Sequence, residues 1–125
     1  MFYLSRKKWR LRKLLRQKEG LSTFYDQRIA DAHATQNMEG VNNWHSEMFM
    51  EVDLADDEIN KLRTSILMKE AHKYLLPTPS EKDDWEDSRI DGRRFLTQEA
   101  QRALIVAIRS ETKERAELFR LRVAG

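Results

Sequence analysis

Apolar residues in the first third of the chain recur at helical intervals. Leu4, Leu11, Leu14, Leu15, Leu21, Tyr25, Ile29 and Ala32 stand near three, four or seven apart, which predicts a helix over 5–36. Gly20 interrupts that stripe. A glycine costs about 1 kcal/mol relative to alanine in a helix interior, and Ser22 is a competent N-cap, so 1–19 reads either as a separable arm ending in a break near 20–22 or as the start of one continuous helix. Residues 36–43 collect Gln36, Asn37, Gly40, Asn42 and Asn43, types that favour helix ends and turns, and the pattern places a bend at 37–43. From about Trp44 to Leu75 the periodicity is clean. Val41, Met48, Ala55 and Leu62 fall seven apart, as do Val52, Ile59 and Ile66. Interleaved, the two series form the seam of a coiled-coil-like pair. The nearest partner is the preceding helix, so 20–76 is expected to fold as a long antiparallel hairpin.

Pro77 and Pro79 end the second helix, because each lacks an amide donor and disfavours helix in the residue before it. Residues 77–96 form an acidic connector around Trp85. A tryptophan in such a loop either folds back on the helices as a plug or stands out as an anchor for a partner. Asp91 and Gly92 suit a tight turn between two very short strands, after which Phe95 and Leu96 re-enter the core. Thr97 is a good N-cap and Glu99 lies in the first turn, where the helix dipole favours negative charge. The terminal helix, within 97–125, is apolar through Ile108, polar from Arg109 to Glu117, and apolar again at Leu118, Phe119, Leu121 and Val123. That order predicts a tip that projects past the hairpin and meets something else. The fold class is all-α, with a tiny β-turn near Asp91-Gly92.

Composition narrows the class. A chain of 125 residues fits one compact domain without staples. Apolar residues at 40% against 35% charged must be gathered in narrow stripes. There is no cysteine, which excludes disulfides, thiolate metal sites and cysteine nucleophiles. The net charge of +2 conceals segregation. Residues 1–18 hold eight basic side chains and no acidic one, 19–92 hold 7 basic against 17 acidic, and 93–125 hold 8 against 4. No stretch approaches the ~20 apolar residues that span a bilayer. Met1 to Leu4 run directly into basic residues, as at the cytoplasmic end of a transmembrane helix. A cytoplasmic location, at the inner face of a membrane if an anchor precedes Met1, is the corresponding expectation.

Candidate chemistry is thin. His33, His45 and His72 share no i, i+4 spacing or metal-ligand motif, so no metal or cofactor is expected. Glu51, Asp53, Asp56, Asp57 and Glu58 fall largely opposite the apolar stripe and read as a solvated face. The four glycines are scattered and form no phosphate loop, and no nucleophile elbow is present. The reading is of a protein that is not an enzyme. The feature with most binding character is the arm, where Arg6, Lys7, Lys8, Arg10, Arg12, Lys13 and Arg16 surround Trp9. Anionic lipid would attract these charges while Phe2, Trp9, Leu11 and Leu15 enter the headgroup boundary. Nucleic acid would use the same charges against phosphates, leaving the apolar residues without a task, and it ranks below lipid. Docking on the acidic hairpin is the third use of the arm.

Tyr74-Leu75-Leu76-Pro77-x-Pro79, Trp85, Gly92 with Phe95-Leu96-Thr97, and the run from Ile108 to Glu117 together resemble a set of small uncharacterised bacterial helical proteins. The resemblance covers about 60–118. It implies a helical hairpin, a proline-containing connector, an Arg/Glu-rich terminal helix and a bacterial origin, and nothing about chemistry. The expected function is a protein–protein interaction or scaffolding module that binds a partner or self-associates. Its contacts are expected at Trp85, Leu118, Phe119 and Leu121. Peripheral membrane binding is the alternative, and nucleic-acid binding the lower one.

Overall fold

A computed structural model of the chain describes residues 2–124, and their side chains except those of 2–4, 119, 123 and 124. It is all-α, with helices α1 (Phe2–Ala34), α2 (Met38–Lys73) and α3 (Gln98–Ala124) and one small antiparallel sheet of β1 (Trp85–Asp87) and β2 (Arg94–Leu96). Two compact units divide the chain, 1–62 with 89–91 and 63–88 with 92–125.

In the first unit α1 runs unbroken through Gly20, so of the two readings the basic stretch is the start of this helix. The glycine's cost of about 1 kcal/mol is smaller than the gain from keeping the flanking leucines on one seam, at about 1.5–3 kcal/mol per fully buried side chain. The bend is also tighter than expected and lies at 35–37. α1 ends in a Schellman motif: Asn37 N–H donates to Ala32 C=O (2.8 Å) and Gln36 N–H to His33 C=O (3.0 Å), with Gln36 in the left-handed region at φ 57°. Asn37 then caps α2, its Oδ1 accepting from Gly40 N–H at 3.0 Å. One residue thus closes one helix and opens the next, and α2 starts six residues before Trp44.

The pairing is antiparallel. Ile29 and Ala32 pack with Val41, the Tyr25 and Trp44 rings lie 6.1 Å apart, and Lys18 Nζ meets Asp56 Oδ1 at 2.5 Å. Val41 and Ile59 are buried, and Met48, Val52, Ala55 and Leu62 half-buried, as the heptad spacing predicts. The carboxylate face departs from expectation. Asp57 is buried, because Arg89 and Asp91 reach Asp53 and Lys61 one turn to either side of it and the short segment between them crosses that part of α2.

In the second unit α2 closes with another Schellman motif, Leu76 N–H to Ala71 C=O and Leu75 N–H to His72 C=O, with Leu75 at φ 57°. Pro77 and Pro79 follow the stop. The hairpin pairs Trp85 with Leu96 and Asp87 with Arg94, and its turn includes Gly92 at φ 69°. Leu96 is fully buried. Its N–H donates to Thr64 Oγ1 at 2.7 Å and its C=O accepts from Gln101 Nε2 at 2.8 Å, which ties the sheet to α2 and α3 together. Thr97 caps α3, Oγ1 accepting from Ala100 N–H at 3.3 Å. Leu67, Ala71, Leu96, Ala100, Leu104 and Ile108 form the core. Thr64 lies beside Leu96 and Tyr74 beside Arg115, so α3 runs parallel to the end of α2. α2 stops at Lys73, whereas α3 continues to Ala124.

Candidate interaction surfaces

α1 sorts its N-terminal side chains onto two sides. At 3.6 residues per turn, Lys7, Leu11, Leu14, Leu15 and Lys18 share a side with Tyr25 and Ile29, and all five are half-buried. Trp9 points opposite that seam. Arg6, Arg10 and Lys13 run along one side of it and Arg12 and Arg16 along the other, with Arg10 and Lys8 nearest the seam. All of these are exposed, Trp9 to 62%. Lys13 Nζ lies 5.4 Å from the Trp9 ring centre, a cation–π contact on the outer surface. The apolar set foreseen for lipid is therefore not brought together. Leu11 and Leu15 belong to the hairpin, Trp9 to the surface, and Phe2 lies outside the described side chains.

The contacts foreseen on the terminal helix have a simple layout. Ala100, Leu104, Ile108, Glu111, Arg115 and Leu118 follow one stripe, which turns polar at the Glu111–Arg115 ion pair (3.3 Å) while the Arg115 guanidinium lies 5.0 Å from the Tyr74 ring centre. Beyond it Leu118 and Leu121 are 61% and 70% exposed. The Phe119 side chain is outside those described. Trp85 takes the plug role: it is half-buried against the Leu96 core, with Arg94 6.0 Å from its ring centre. Its buried Nε1–H finds no acceptor among the described residues.

Part of the acidic connector is paired within its own unit. Arg94 meets Glu81 at 2.7 Å and Asp87 at 3.6 Å, and Asp84 Oδ2 accepts from Ser80 N–H at 2.6 Å. His33 and His72 are exposed, while His45 stacks on Phe49. Among the described residues no three metal-binding side chains converge, and no helix is long and apolar enough to cross a membrane.

Two features escaped the pattern reading. Phe24, Tyr25, Trp44 and Arg28 form an aromatic and cationic cluster, with Arg28 5.1 Å from Phe24 and 5.7 Å from Trp44. Beneath it the Tyr25 phenol is raised above its usual 10.0, first by burial, then by its hydrogen bond to Glu51 and the charges of Glu51 and Glu47. Met50 and Leu54, one turn apart on α2, are also exposed. Their spacing was legible, but not which side the partner helix would leave open. Comparison with protein-family profiles, curated sequences and solved structures returned no match to this chain.

Proposed function

We propose that this chain is a non-enzymatic interaction or scaffolding module whose terminal helix docks on another protein, a second copy being the simplest partner. The observation that supports this reading is the second half of α3, where Leu118 and Leu121 stand exposed on an otherwise charged helix. Apolar residues at i and i+3 are the anchors of helix-in-groove recognition. Sedimentation velocity across a wide concentration range tests it, comparing the native chain with a Leu118→Glu/Leu121→Glu variant. Concentration-dependent association that the variant loses supports the reading. A monomer throughout, with no partner trapped by a photo-crosslinker at position 121, counts against it.

A peripheral role at the inner face of an anionic membrane draws on Arg6 to Arg16. It has less support, since Leu11 and Leu15 serve the hairpin and cannot insert beside Trp9.

A further inference from the structure

The side of α1 that turns away from α2 carries five cations around one aromatic ring. Arg6, Arg10 and Lys13 form one row and Arg12 and Arg16 a second, with Trp9 between them. All six are exposed. No acidic residue occurs before Glu19, so within the segment nothing neutralises the rows. The leucines on the other side are half-buried, so the apolar and cationic sides of this stretch are separate.

We infer that this face binds single-stranded nucleic acid, the two rows lying against the phosphodiester backbone and Trp9 stacking on an unpaired base. Arg6 to Arg16 spans about 15 Å of helix axis at ~1.5 Å per residue. A backbone lying along that length presents several phosphates, which the two rows can reach from either side of Trp9. Trp9 is what separates the occupants. A lipid surface needs several apolar side chains on the same side as the charges, and here the leucines lie on the opposite side. A base needs one exposed ring bordered by cations, and Trp9 with Lys13 5.4 Å from its ring centre is that arrangement. Pattern reading ranked nucleic acid below lipid because the leucines lacked a task, and the hairpin supplies one. The inference is independent of the proposed role of α3.

Fluorescence anisotropy with a labelled oligothymidine of about twelve nucleotides, a length in the usual range of single-strand sites, tests it on the full chain. Binding at low salt should weaken as salt rises, with log K falling linearly on log salt by about 0.7 per phosphate neutralised. Arg10→Glu/Lys13→Glu/Arg16→Glu should lower affinity at least tenfold and flatten the slope, with helix content and melting unchanged. Arg10→Gln/Lys13→Gln serves as the milder variant should charge reversal unfold the helix. Trp9→Ala should lower affinity severalfold at unchanged slope, and duplex DNA of the same length should compete poorly. The inference is overturned by any of three results: no binding at low salt, binding indifferent to the charge variants, or binding to anionic phospholipid vesicles that the oligonucleotide cannot displace. Equal competition by duplex together with indifference to Trp9→Ala would overturn the single-strand assignment.

Discussion

The side chain of Asn37 occupies the place that a Cβ on Gly40 would need. Such an atom would lie 2.5 Å from Asn37 Nδ2 and 2.9 Å from its Cγ, while Asn37 Oδ1 accepts from the Gly40 amide. The cap that opens α2 thus depends on the absence of a side chain three residues on. At Gly20, by contrast, an added Cβ meets nothing within 4 Å.

These two glycines should respond differently to alanine. Gly20→Ala should raise stability by about 1 kcal/mol, the ordinary propensity difference. Gly40→Ala gains the same preference but displaces a cap worth ~1 kcal/mol, and should give no net gain. In an Asn37→Ala background nothing remains to displace, so Gly40→Ala should again stabilise by about 1 kcal/mol. Urea unfolding of the native chain, the three single variants and the double variant measures this. Equal gains at Gly40 with and without Asn37 would refute the coupling.

Left-handed backbone gives a second contrast. Leu75 sits at φ 57° with 87% of its surface exposed, so its side chain contributes little packing while the conformation costs roughly 1–2 kcal/mol for a residue bearing a Cβ. Leu75→Gly should therefore stabilise by about 1 kcal/mol, and Gln36→Gly similarly. Gly92, at φ 69° with open space around it, should lose about the same on substitution by alanine, since the cost there lies in the backbone. Thermal melts of the three variants decide the signs.

The buried phenol gives stability a pH dependence. Tyr25 titrates above its ordinary 10.0 in the folded chain, so the neutral form favours the fold. Its contribution is fully present below the unfolded value and is lost as pH rises through the folded one. Stability should decline above about pH 10, and less so in Tyr25→Phe. Glu51→Gln should bring the phenol down, because it removes a charge and a hydrogen-bonded carboxylate that both oppose ionisation. Ultraviolet titration of phenolate, with Tyr25→Phe subtracted, reads the shift directly.

How far the fold was legible depends on whether a signal is local. The buried and half-buried heptad positions from Val41 to Leu62 and the short strands ending at Leu96 follow from the sequence pattern, and the structure has both. Continuity through Gly20 is open in the sequence, and the helix runs on because propensity is weak beside burial of the leucines on each side. Gly40 resembles a C-cap, yet Gln36 takes the left-handed position and Gly40 serves the next helix. Burial of Asp57 depends on residues 89–91, more than thirty positions away, and no helical period carries that information. The basic face was legible as a composition. Its separation from the leucines becomes clear only once α2 fixes which side of α1 is inside.

Thr64 offers the sharpest test of how the second unit is held. Its Oγ1 accepts the Leu96 amide at 2.7 Å, both residues are buried, and the Leu96 carbonyl is already engaged by Gln101. Thr64→Val keeps the shape and removes the acceptor, leaving a buried N–H without a partner, which costs about 1–3 kcal/mol. Thr64→Ser keeps the oxygen and loses a methyl, so its cost should stay near 1 kcal/mol. Leu96→Ala should cost about 2–5 kcal/mol by opening a cavity at the centre of the core. Leu96→Ala leaves the backbone amide in place, so Thr64→Val should still strand a buried N–H in that background. Denaturant unfolding of these variants checks this, and a Thr64→Val cost no larger than that of Thr64→Ser would mean that the hydrogen bond does not fasten the sheet to α2.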